Sequence, residues 1–189
     1  MKEEIPATVA LVGLMGAGKS AIGRRLASRL AVPFFDSDAE IEAEMGMSIA
    51  EMFDQEGEKA FRLGERSVIK RLLSGPGHIL ATGGGAFVES ETRAEFMGRA
   101  ITVWLRADLE VIFDRVSRKN NRPLLQSANP KQVLADLIEL RYPFYALADI
   151  IIDSNEGPHE QVVDSIIEQL MISGSPLIAR SVQNQDEVG

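Results

Sequence analysis

The chain has 189 residues, 45% of them hydrophobic, which is enough for one well-buried core and too few for two. A net charge of −8 and a pI near 4.9 repel polyanions and argue against nucleic acid or an anionic membrane surface as partner. With no cysteine, disulfides, thiolate nucleophiles and cysteine-ligated zinc are excluded.

The opening MKEEIPATVA lacks the basic and apolar regions of a secretory signal. No later apolar run approaches the roughly 20 residues needed to cross a bilayer, so a soluble, cytoplasmic protein is expected. Any anion it binds must be captured by individually placed Arg and Lys residues. Apolar runs ending in glycine or aspartate alternate with stretches of helical period, the pattern of parallel strands joined by helices in an α/β sandwich.

The first strand is read at Thr8 to Val12. Gly13 to Ser20 follows as GLMGAGKS, matching G-x-x-x-x-G-K-[ST] between a strand and a helix. Such a loop wraps its backbone amides around phosphates, with the positive end of the next helix behind them. Lys19 then supplies a charge to the β- and γ-phosphates, and the Ser20 hydroxyl suits Mg²⁺, a hard cation. The helix beyond it carries Ile22, Leu26 and Leu30 on one face. By itself this motif says only that a nucleotide is bound.

A short strand at Phe34 to Phe35 ends in Asp36-Ser37-Asp38, two carboxylates that an extended chain would point the same way. One could hold Mg²⁺ through water while the other orients or deprotonates a hydroxyl; the plain alternative is an acidic loop capping a helix at Asp38. Ser48 and Glu51 form a capping box that starts a further helix. On a helix, Phe61-Arg62-Leu63-Gly64-Glu65 sets Glu65 one turn from Arg62, where it could hold the guanidinium. Met45, Met47 and Met52 read as packing residues.

The strand at His78 to Thr82 is apolar where many nucleotide-binding proteins carry a metal-binding aspartate, which leaves Asp36 as the candidate. It runs into Gly83-Gly84-Gly85, either a tight turn or a place where a ligand approaches the backbone closely. Ile101 to Leu105 is the fourth strand and contains Trp104, read as core. Arg122 lies in a polar loop between two helices, as a lid over phosphates would. Asn129 and Pro130 open a helix that leads to Arg141 in RYPFYALAD. Ile150 to Ile152 is the last strand, and Gly157-Pro158 opens the last helix. His78 and His159 are too isolated to suggest a metal. Residues 180–189 read as a disordered tail.

GLMGAGKS, DSD at 36 to 38, FRLGE at 61 to 65, TGGG at 82 to 85, RPLL at 122 to 125 and RYPFYALAD at 141 to 149 occur in the order of the shikimate kinase motifs, and the chain resembles that family along nearly its whole length. The resemblance implies a three-layer α/β sandwich around a five-stranded parallel sheet of order 2-3-1-4-5, as in P-loop NTPases and nucleoside monophosphate kinases. It implies one kinase domain over residues 1–179, with substrate-binding helices at about 37–65 and a lid at about 117–129. The implied reaction is ATP-dependent phosphorylation of the shikimate 3-hydroxyl with Mg²⁺, by a protein expected to be a monomer.

By the same resemblance Gly16, Ala17, Gly18, Lys19, Ser20, Ala21, Arg115 and Arg122 hold ATP, with Arg115 beside the adenine and Arg122 as the lid arginine. Asp38, Arg62, Gly83, Gly84, Gly85 and Arg141 hold shikimate, with both arginines on its carboxylate. Ser20 and Asp36 serve the metal, and Lys19, Asp38 and Arg122 serve catalysis. Two departures stand out: Ala21 where the family often has threonine, and Gly64, which costs its helix about 1 kcal/mol relative to alanine and could make that segment easier to move. The cradle and fold alone would also suit another small-metabolite kinase, acting on gluconate or a nucleoside monophosphate, or a nucleotide-binding module without catalysis.

Overall fold

The computed structural model describes residues 7–118, 128–155 and 157–177. Strand β1 (Thr8–Val12) is the centre of a parallel five-stranded sheet. It pairs on one side with β3 (Ile79–Ala81) and on the other with β4 (Ala100–Arg106). The edges are β2 (Phe34–Asp36), against β3, and β5 (Ile150–Asp153), against β4. The order is therefore 2-3-1-4-5, and the strands lie within one or two residues of the runs read from the sequence.

Every residue of β1 is buried because alternate side chains enter different layers. Val9 and Leu11 join the core formed with α1 (Lys19–Leu30) and α7 (His159–Ile172). Ala10 and Val12 join the other core, formed with α3 (Ile49–Leu73), α4 (Ser90–Phe96), α5 (Leu109–Ser117) and α6 (Pro130–Tyr145). Ile22, Leu26 and Leu30 are the buried stripe of α1, each side chain contributing about 1.5–3 kcal/mol by leaving water.

Helix α2 (Ser37–Met45) follows β2 directly, and the side chain of Asp36 caps it by accepting from the Asp38 N–H at 3.1 Å. The chain is thus already helical at Ser37, so the two carboxylates are not side by side on an extended strand. The cap is Asp36 rather than Asp38. The Ser48–Glu51 capping box starts α3 as expected. That helix is interrupted at Gly57, whose φ of 82° and ψ of 169° are non-helical and suit only glycine. Gly64, by contrast, stays helical; a methyl group there would stand 3.0 Å from Met45 Cε, so its small size lets α2 approach α3.

At the carboxyl ends of β4 and β5, Arg106 grips Asp153 with Nε on Oδ1 at 2.7 Å and Nη2 on Oδ2 at 3.0 Å. Trp104 is core, as read, and packs edge-on against Tyr142. No described helix is long and apolar enough to cross a membrane.

Candidate active site

In an open parallel sheet, ligands bind beyond the carboxyl ends of the strands. Here a cleft of about 510 Å³ opens at that edge, around the loop after β1. The sheet order divides its walls. Asp36, Asp38, Gly83 and Gly84 come from the β2–β3 side, and Arg115, Arg118 and His159 from α5 and α7 on the β4–β5 side.

Gly16 and Gly18 adopt φ of 79° and 95°, which lets the loop curl into the start of α1. Lys19 Nζ lies across the curl and donates to the carbonyls of Gly13 at 2.8 Å and Leu14 at 2.9 Å. Ser20 Oγ donates to Asp36 Oδ2 at 2.6 Å. A hydroxyl and a carboxylate beside a phosphate cradle are the hard oxygen donors that Mg²⁺ prefers. No cluster of three or more His, Cys, Asp or Glu gathers among the described residues, so the protein would contribute only part of such an ion's shell. Arg115 donates to Asn155 O at 2.7 Å and reaches the loop carbonyls of Gly16 and Ala17 at 3.4 and 3.5 Å.

The three glycines after β3 each face one charged side chain. A Cβ on Gly83 would lie 2.5 Å from Asp38 Oδ1, one on Gly84 would lie 3.4 Å from Arg141 Nη1, and one on Gly85 would run into the Arg62 guanidinium. None of the three has a positive φ, so turn geometry does not demand glycine there; close approach does at Gly83, against Asp38, and at Gly85, against Arg62, whereas Gly84 meets Arg141 at an ordinary contact distance. The glycine run is held from both ends: the Gly83 N–H donates to Ser37 Oγ at 3.0 Å, and Tyr145 Oη donates to Gly84 O at 2.5 Å. Tyr145 is fully buried, and burial pushes its phenol up to about 12, against the pull of Arg141.

Arg62 donates to Glu65 Oε2 at 2.8 Å and to Glu58 Oε1 at 3.4 Å. Its Nε is buried with no hydrogen-bond partner among the described residues. Burial raises the Asp38 carboxyl above its ordinary range, and repulsion from Asp36 adds to this, while Lys19 and Arg62 oppose it. Burial likewise raises Glu65, opposed by its hydrogen bond from Arg62.

The family model for shikimate kinase matches residues 15–171. The chain belongs to the shikimate kinase family. The shikimate kinase of Caulobacter vibrioides is 54% identical over 163 residues, covering 86% of this chain and 82% of the relative. That of Paramagnetospirillum magneticum is 52% identical over 164 residues, covering 87% and 84%. Among solved structures, a shikimate kinase from Acinetobacter baumannii in complex with shikimate superposes with a TM-score of 0.82 at 41% identity, covering 92% of this chain and 97% of that one. A gluconokinase from Sinorhizobium meliloti, with a TM-score of 0.59 at 15% identity, covers 98% of this chain and 97% of its own and shares the fold alone. As a shikimate kinase, the chain is an ATP-dependent enzyme that phosphorylates a hydroxyl group.

Of the residues expected to build a shikimate kinase site, the structure gathers Gly16, Gly18, Lys19, Ser20, Ala21, Asp36, Asp38, Gly83, Gly84 and Arg115 on one cleft. Arg62 and Arg141 stand over the glycine run beside it. Ala17 is buried and turns its carbonyl to Ser154 Oγ at 2.9 Å. Arg122 and residues 119–127 of the expected lid lie outside the described residues, as does the 180–189 tail. His159, set aside in the sequence, lines the cleft; its place at the first turn of a helix after a C-terminal strand end was the available signal.

Proposed function

We propose that this site transfers the γ-phosphate of ATP to the 3-hydroxyl of shikimate. The observation that carries this reading is the set of three charged side chains, Asp38, Arg62 and Arg141, each seated against one glycine of Gly83–Gly85 beside the phosphate loop. Two guanidinium groups and a carboxylate suit an acceptor with a carboxylate at one end and hydroxyls at the other. Arg62 stays 20% exposed, so part of its side chain remains open to an acceptor carboxylate while Glu65 holds it in place.

In this reading Asp38 orients the acceptor hydroxyl and takes its proton, for which a carboxyl raised by burial is the better base. The hydroxyl oxygen bonds to the γ-phosphorus as the bond to the β–γ bridging oxygen breaks, and ADP leaves with that electron pair. Lys19 follows the charge on the transferring phosphoryl group. Ser20 and Asp36 would hold Mg²⁺, which when bound supplies positive charge against the phosphate oxygens. Arg62 and Arg141 fix the carboxylate, so the hydroxyl arrives in line rather than by chance.

The test is ADP release with a panel of acceptors. Release that depends on added shikimate, and not on gluconate or nucleoside monophosphates, is the expected result. Release supported equally by gluconate, or independent of any acceptor, would overturn the substrate assignment.

A further inference from the structure

Ser154, the residue after β5, is fully buried although it is polar. Its N–H donates to Arg106 O at 2.6 Å, which pins it to the end of β4, and its Oγ donates to the Ala17 carbonyl at 2.9 Å, across 137 residues of sequence. Ala17 O is part of the phosphate loop's outer edge. The 17–18 peptide is trans, so its C=O and the N–H of Gly18 point in opposite directions in one plane. Fixing the carbonyl outward therefore fixes the Gly18 N–H inward. The need for an anchor is local: Gly18 has a φ of 95°, and glycine lets the adjoining peptide rotate more freely than any other residue would.

Arg115 Nη1 also reaches that carbonyl, but at 3.5 Å, too long to substitute for a short bond. Ser154 itself has little freedom, since the Arg106–Asp153 pair and the bond from the Asp108 N–H to Asn155 Oδ1 at 2.9 Å clamp the chain on both sides of it. We infer that Ser154 is a positioning residue for the nucleotide: its hydroxyl holds the Ala17 carbonyl and so aims the Gly18 N–H into the phosphate cradle. This rests on the reading that ATP phosphates occupy the Gly13–Ser20 loop.

The experiment is steady-state kinetics of the full chain with ATP and shikimate varied separately, together with Tm. Ser154→Ala is expected to raise the KM for ATP about tenfold, the loss of one hydrogen bond to a charged group, with the KM for shikimate unchanged. Ser154→Thr, which keeps the hydroxyl, is expected to restore it. Ser175→Ala removes another buried hydroxyl, one far along the chain from the loop, and is expected to leave both KM values alone. Should Ser154→Ala fail to fold, Ser154→Cys keeps the volume with a weak donor and is expected to show the same split. A fall in Tm with the ATP KM unchanged in whichever variant folds would make Ser154 merely structural and overturn the proposal. Lys19→Ala in the same assay separates the two levels: if it keeps normal turnover the phosphate-loop reading itself fails, whereas its loss beside an unaffected Ser154→Ala sinks only the brace.

Discussion

Glu65 holds Arg62 from below: its carboxylate is 1% exposed, accepts the guanidinium at 2.8 Å, and leaves the arginine 20% exposed over Gly85. Removing one member of a buried ion pair leaves the other uncompensated, at a cost of about 3–5 kcal/mol when both are buried. Arg62 is partly exposed and keeps Glu58 at 3.4 Å, so Glu65→Ala is expected to cost less than that, about 1–3 kcal/mol by denaturant unfolding. The same variant should raise the KM for shikimate while leaving that for ATP unchanged. A stable variant with normal shikimate saturation would show that Arg62 needs no positioning.

The glycine run makes a second prediction. Gly83→Ala places a methyl group against Asp38 and Gly85→Ala places one against Arg62, each displacing a charged group from its seat. Loss of one such interaction lowers kcat/KM for shikimate roughly tenfold or more. ATP affinity, measured by equilibrium binding, should stay within about twofold, because the phosphate amides come from a different loop. Wild-type kinetics in both alanine variants would mean the run is only a turn.

Asp38 links pH, stability and activity. Its carboxyl is raised, first by burial and then by Asp36, so the folded state holds a proton there more tightly than the unfolded chain. Its contribution to stability is therefore full at pH below the unfolded pKa and is lost as pH rises through the raised folded pKa. At neutral pH the ionised group works against the fold. Asp38→Asn is expected to raise Tm, by about 2–4 °C for each kcal/mol regained at this chain length, while turnover collapses. For the wild type, kcat/KM should fall as pH drops through a value above the ordinary carboxylate range, since the protonated form is a poor base. A lower Tm in Asp38→Asn, or an acid limb at or below the ordinary range, would contradict this.

The sheet was legible in the sequence because strands covered on both faces read as unbroken apolar runs, as in Thr8 to Val12. The loop was legible because its chemistry is local: Gly13 to Ser20 carries its own turn, charge and hydroxyl. Helix α2 was less visible as a separate element, since only Ser37 and Ile41 are buried in SDAEIEAEM and no apolar stripe forms. The interruption of α3 at Gly57 went unread, since nothing local in the sequence separates Gly57 from Gly64; packing does, with Met45 beside Gly64 and nothing within 4 Å of Gly57. Asp36 and Asp38 were singled out on strand geometry, whereas they reach the cleft through a helix start that Asp36 caps. The reach of Ser154 to Ala17 spans 137 residues and leaves no periodic trace.

The acceptor pocket is tested most directly by the saturation kinetics of Arg62→Ala and Arg141→Ala. Each charge-assisted hydrogen bond contributes about 1.5–3 kcal/mol, so each variant should weaken shikimate saturation roughly tenfold to a hundredfold with the KM for ATP unchanged. Normal shikimate saturation in both variants would contradict the account, leaving a nucleotide site whose acceptor binds elsewhere.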